Sequence, residues 1–162
     1  MFYNLKIIEK SPSEYSGDAG YYEPDDKFLE LVVLDMRGEC ICSIFITIWN
    51  PTELTDWLVA NEKAIRSEEF PWPFGEASSI AEAISRFYDR VDEPSGKEFE
   101  DLYGYRTRHG FRFAMRGCRL PDVYVGKVKQ YFEVSFKEET RFVVYRVKID
   151  PLFGTNTSIN AG

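Results

Sequence analysis

Two apolar runs, KFLELVVLDM (27–36) and CICSIFITIW (40–49), are separated only by RGE. Both are rich in β-branched and aromatic residues, and the short glycine-containing break predicts an antiparallel hairpin. Strands this apolar and this long are expected in the middle of a sheet, where both faces are covered. The rest of the chain must therefore supply flanking strands and a covering layer.

It does so in a simple order. FYNLKIIE (2–9) alternates as a first strand, with Tyr3, Leu5 and Ile7 on one face. Near the other end YFEVSF alternates, KEET supplies a polar turn and RFVVYRVKI follows, so Tyr131 to Ile149 is expected to form a second hairpin. Between them NPTELTDWLVANEKAIRS predicts a helix. Asn50 can cap it, Pro51 sits where a missing N–H is harmless, and Glu53 completes a capping-box spacing. Leu54, Trp57, Leu58, Asn61, Ala64 and Ile65 then recur as one stripe. SSIAEAISRFYDR predicts a second helix burying Ile80, Ala83, Ile84 and Phe87, with Tyr88 at the margin of the stripe. Strands, then helices, then strands imply an α+β fold: a mainly antiparallel sheet with two helices packed on one face. We expect one domain over residues 1–153, followed by a loose tail, 154–162, that lacks an apolar face.

Composition is consistent with a folded, soluble protein. Among 162 residues are 13 Phe, 10 Tyr and 3 Trp, enough aromatic surface to argue against disorder. The apolar runs fall short of the roughly 20 residues that span a bilayer, and MFYNLKIIEK does not read as a secretory signal, so a cytoplasmic location is expected. Cys40, Cys42 and Cys118 are too few and too scattered for a zinc site and are expected as reduced thiols. No cofactor is implied. The net charge of −7 argues against non-specific binding to nucleic acid or to an anionic membrane, and suits a basic partner.

Two loops invite a functional explanation. KSPSEYSGDAGYYEPDD carries Glu14, Asp18, Glu23, Asp25 and Asp26; it is either a solvated connection or an acidic lip that mimics phosphate to a basic partner. EEFPWPFGE cannot be helical with two prolines, so Phe70, Trp72 and Phe74 either plug the core or stand out as partner anchors.

Against the acidic background, YRTRHGFRFAMRGCR (105–119) concentrates five arginines and the only histidine. Tyr103, Tyr105, Thr107, Phe111, Phe113 and Met115 occupy odd positions, whereas Arg106, Arg108, Arg112 and Arg116 occupy even ones. Such alternation predicts strand: either a hairpin with a three-residue RHG loop or a strand continuous through Gly110 puts the arginines together on the face away from the core. Their neutralisation is expected from Glu133, from the acidic loop, or from an acidic partner or bound anion. His109 would then stand exposed at the hairpin tip, its pKa lowered by the flanking cations. No nucleophile elbow, P-loop or dinucleotide fingerprint is present, so catalysis is not expected. The alternatives are a binding domain for an anionic small molecule, held by Arg106, Arg112 and Arg116, and a small enzyme using His109.

The run YRTRHGFRFAMRGCRLPDVYVG followed by YFEVSF, within a small, acidic, aromatic-rich α+β chain, resembles the immunity proteins of bacterial toxin systems. That resemblance implies a protein partner, a toxin domain, whose active site or substrate channel is blocked by acidic loops and aromatic anchors. Arg106, Arg108, Arg112, Arg116, Trp72, Glu23, Asp25 and Asp26 are the candidate partner- or anion-binding residues; the arginines do not fit a basic toxin and suit a toxin with an acidic cleft or a structural part. The resemblance implies no catalytic residue.

Overall fold

The computed structural model describes residues 1–11, 22–90 and 96–158, with side chains as far as Gly154. Glu14 and Asp18 of the acidic loop lie outside the described residues. Six strands form one sheet: β1 (Tyr3–Lys10), β2 (Lys27–Leu34), β3 (Cys40–Trp49), β4 (Val123–Val128), β5 (Tyr131–Glu138) and β6 (Arg141–Lys148). Their order is β3-β2-β1-β6-β5-β4. β1-β2-β3 and β4-β5-β6 are antiparallel meanders. They join where β1 and β6 pair in parallel, Tyr3 beside Val147 and Asn4 beside Lys148. The fold is α+β and its sheet is mostly antiparallel.

The first hairpin forms as its sequence predicts, but only one of its strands lies inside the sheet. β2 is buried on both faces from Phe28 to Val33, its one charged residue there, Glu30, paired with Lys10 at 2.6 Å. β3 is the outer strand, and Ile41 and Ile46 are exposed. Its register against β2 shifts twice, skipping Ile44 and Ile41. Such bulges twist an edge away from further pairing. They also separate the two nearby cysteines, leaving Cys40 exposed and Cys42 packed against the core.

Helix α1 (Pro51–Ser67) begins as expected: the Asn50 side chain accepts from the Thr52 N–H at 2.9 Å, with Pro51 in the first turn. Glu53 does not close a capping box; its carboxylate accepts from the Trp49 indole at 2.8 Å instead. Leu54, Trp57, Leu58 and Ile65 are buried, each stabilising the fold by roughly 1.5–3 kcal/mol. They pack with Leu5, Leu31, Val125, Val134 and Val147 in the main core.

Helix α2 (Ile80–Arg90) packs on the opposite face, over β4 and β5, where Ile80, Ala81 and Ile84 meet Tyr124. The two expected helices thus cover different faces. Partners for the first N–H groups of α2 come partly from the sheet: Ile80 N–H donates to Glu133 Oε1 at 2.6 Å, and Ala81 N–H to Ser135 Oγ at 3.0 Å. The loop aromatics Phe70, Trp72 and Phe74 pack against this second cluster, closing it as a plug.

The largest departure from the sequence-based expectation is at the arginine stretch. It is neither a hairpin nor a continuous strand. Residues Gly96–His109 form helix α3, and Phe111–Phe113 a single 3-10 turn. Leu102, Tyr105 and His109 are its buried residues, a spacing of three and four that satisfies a helix. The odd-numbered aromatics matched a strand because helical and alternating periods coincide over short windows. The arginines consequently radiate around a helix and the turns after it instead of sharing one face. The strand expected there lies later, at β4.

The tail also begins inside a helix, α4 (Asp150–Ser158). Its first turn carries Leu152 and Phe153 into the main core, while Arg66 pairs with Asp150 at 2.8 Å and lies 4.9 Å from the Phe153 ring centre. The Asp150-Pro151 start is the local signal for it.

Glu133, 1% exposed, makes the docking of α2 sensitive to pH. Burial raises its pKa to about 7, against the opposing effects of the Ile80 N–H and the charge of Arg146. The native state therefore holds this proton above the pH at which the unfolded chain has lost it, so stability declines as pH rises from about 4.5 to 7. Glu133→Gln keeps an acceptor for Ile80 and has no proton to lose. Urea denaturation should show the variant gaining on the wild type by up to about 3 kcal/mol between pH 5 and 8. Parallel stability curves would refute this account.

Candidate functional site

β4 ends the sheet, and its outer edge is where the chemistry-bearing residues gather. An outer strand leaves backbone groups without a sheet partner. Here they are met by different pieces of chain: Glu69 bridges to Lys127, and Gly110 bridges to Tyr124. The Val125 carbonyl accepts from His109 Nδ1 at 2.9 Å. A carbonyl can only accept, so Nδ1 carries the proton. Helix α3 comes this close because residue 126 is glycine: a Cβ there would lie 2.7 Å from the Tyr105 hydroxyl and 3.0 Å from His109 Nδ1.

His109 is therefore buried, not exposed at a tip. Its ring stacks on Tyr105 at 3.9 Å, and Nε2 lies 3.3 Å from Glu68 Oε2. Arg108 grips the same carboxylate with two hydrogen bonds, 2.8 and 2.6 Å long. Burial is the largest influence on His109 and holds its pKa below the ordinary value; the Val125 carbonyl and Glu68 work in the opposite direction. The Glu68 carboxyl is lowered overall: burial raises it, but Arg108 and His109 outweigh that. The Tyr105 hydroxyl, also buried, has no hydrogen-bond partner among the described residues, and its pKa is raised well above normal, chiefly by burial. This constellation has the ingredients of acid–base chemistry, yet its imidazole is sealed between a helix and a strand. Its geometry suits a positioning role for α3.

The remaining arginines part company. Arg106 donates from Nε to the Tyr124 hydroxyl at 2.9 Å and from Nη1 to the Tyr88 hydroxyl at 3.1 Å. Arg112 is exposed and pairs loosely with Asp122 at 3.6 Å, and Arg116 is exposed. The charges expected to neutralise them were placed elsewhere: Glu133 caps α2, whereas Glu68 and Asp122 serve the arginines. Of the acidic loop, Glu23, Asp25 and Asp26 lie in or beside a turn before β2, with Glu23 N–H donating to Asp26 Oδ2 at 2.8 Å.

A row of aromatic rings runs outward from the plugged loop. Trp72 stacks on Phe87 at 6.1 Å, and Phe87 meets Tyr88 edge-on. Tyr88 meets Phe99 at 6.2 Å, Phe99 stacks on Tyr103 at 6.4 Å, and Tyr103 meets Phe113 at 5.9 Å. Trp72 occupies the half-buried end. Tyr88, Phe99 and Tyr103 are 36%, 41% and 48% exposed. Arg106 lies across the row, within 5.3 Å of the Tyr88 ring centre and 5.7 Å of that of Phe113. Sequence reasoning missed this surface because it depends on α3 being a helix: Phe99 and Tyr103 align only at a spacing of four.

Among the described residues no three His, Cys, Asp or Glu side chains converge as a metal site. No helix among them is long and apolar enough to cross a membrane. No family model, curated protein or solved structure matches the chain.

The single histidine allows a direct check of this geometry by NMR. Its ring signal should titrate below about 6.5, the ordinary histidine value. In Glu68→Gln it should titrate lower still, since the carboxylate that favours the imidazolium is gone. A midpoint above the ordinary value, or one that rises in the variant, would contradict the buried arrangement.

Proposed function

We propose that this protein acts by binding another protein, as an immunity protein that neutralises a cognate bacterial toxin by blocking its active site. The observation that carries this reading is the aromatic row in which Tyr88, Phe99 and Tyr103 are exposed and half-buried Phe113 adjoins them. Contiguous exposed rings are uncommon on a surface without a partner, and aromatic residues with an adjoining arginine are the side chains that dominate binding energy. The first two turns of α3 place Glu98, Glu100 and Asp101 around Phe99 and Tyr103. With a net charge of −7, that setting favours a basic partner and rapid, electrostatically steered association. The buried state of His109 supports action by occupancy in preference to catalysis, and the role calls for no cofactor and no nucleic acid.

On this reading the contact face lies on α2 and α3, and two of the sequence candidates lie away from its centre. Arg108 is committed to Glu68, and Trp72 lies at the half-buried end of the row. The test is co-purification from the source organism, followed by an assay of the captured partner's own activity. A stoichiometric toxin-like partner should be inhibited by the wild-type protein. Phe99→Ala and Tyr103→Ala should each weaken the complex by about 30-fold, near 2 kcal/mol, with melting temperatures unchanged. A partner that remains fully active in the complex, or one insensitive to both substitutions, would overturn the reading.

A further inference from the structure

Beside the aromatic row lies a cavity of about 320 Å³, between α2 and the sheet at the end where Asp122, Lys137 and Phe142 meet. Ala81, Ile84, Ser85, Tyr88 and Asp89 line it from α2, at the spacing of one helical face. Tyr124 and Phe142 supply aromatic walls from the sheet, and Arg106 enters from α3. The size falls at the lower end of the roughly 300–1,000 Å³ typical of small-molecule sites, and apolar walls with a few polar groups are their usual composition.

The charge state of Arg106 identifies what would fill it. Its side chain is only 16% exposed. Within hydrogen-bonding distance it has neutral partners, the two tyrosine hydroxyls. Among the described residues its nearest carboxylate oxygen is that of Asp122, 3.8 Å from Nη2, and Asp122 is shared with Arg112 at 3.6 Å. A guanidinium has five N–H donors, and two are used here. Tyr124 and Tyr88 hold the group in place, and Asp122, at 3.8 Å and shared with Arg112, only partly offsets its charge, so its remaining donors are pre-positioned for a planar or tetrahedral anion. Lys137 adds a second cation to the lining, 5.7 Å from the ring centre of Phe142.

We propose that this cavity binds a small organic anion, a carboxylate or phosphate monoester with an aromatic or branched apolar body. The anionic head meets Arg106 and Lys137, and the body lies against Ile84, Tyr124 and Phe142. The cavity shares Tyr88 and Arg106 with the proposed contact face, but Phe99 and Tyr103 do not line it, so the Phe99 and Tyr103 variants separate a failure of the protein-binding reading from a failure of this one.

The test is calorimetric titration of the full chain with benzoate, phenyl phosphate, inorganic phosphate and the neutral benzamide. Saturable binding of benzoate or phenyl phosphate, at least tenfold tighter than benzamide, is the expected result. Which of the two binds more tightly defines the head group as carboxylate or phosphoryl. Inorganic phosphate alone should bind at least tenfold more weakly than phenyl phosphate, since it leaves the apolar wall uncovered. Arg106→Gln should weaken the preferred anion by at least tenfold. Because Arg106 also braces two tyrosines, Lys137→Gln provides a second arm at an exposed position and should weaken binding about threefold with the melting temperature unchanged. No saturable binding of any anion to the wild-type protein, or equal affinity for benzamide, would overturn the proposal. So would wild-type affinity in both variants.

Discussion

The outer edge of β4 is the constraint on which the rest of this molecule depends. A buried strand edge needs partners for its backbone groups, and this one receives them from a loop residue, a glycine and a histidine side chain in turn. To deliver them, α3 must lie against β4, and Gly126 makes that approach possible. Once α3 is there, Tyr105 and His109 are buried, Glu68 is drawn in by Arg108, and Trp57 can donate from its indole to the Thr107 carbonyl at 3.0 Å. The two cores on opposite faces of the sheet are thereby tied together at one edge.

The same docking sorts the arginines. An acidic protein that concentrates cations in one stretch must find them counter-charges or expose them. Here one is locked to a carboxylate, one is braced by tyrosine hydroxyls at the mouth of a cavity, and others reach solvent. The result is a surface on which aromatic rings, not positive charge, form the continuous feature. That surface underlies the proposed protein partner, and the cavity next to it underlies the proposed anion. Both follow from one helix being placed against one strand.

Much of the scaffold was legible in the sequence. The cap and stripe of α1, the apolar stripe of α2 and the hairpin of β5 and β6 are local patterns, and local patterns survive folding. What failed was the region where local and tertiary preferences diverge. Gly104 and Thr107 weaken helix propensity in α3, and the alternation from Tyr103 to Met115 imitates a strand. The helix forms because it buries Leu102, Tyr105 and His109. α4 was hidden for a related reason: only its first turn is apolar, and the core holds it there.

By itself, then, the sequence determined an α+β domain with an antiparallel framework, because apolar periodicity and turn chemistry act over a few residues at a time. The tertiary structure alone decided that β3 lies at an edge, that Glu133 caps a helix and that the lone histidine is sealed against a strand. It also decided which rings face solvent. Those outcomes depend on which distant groups must satisfy one another's hydrogen bonds and charges, and no short window of sequence contains both partners.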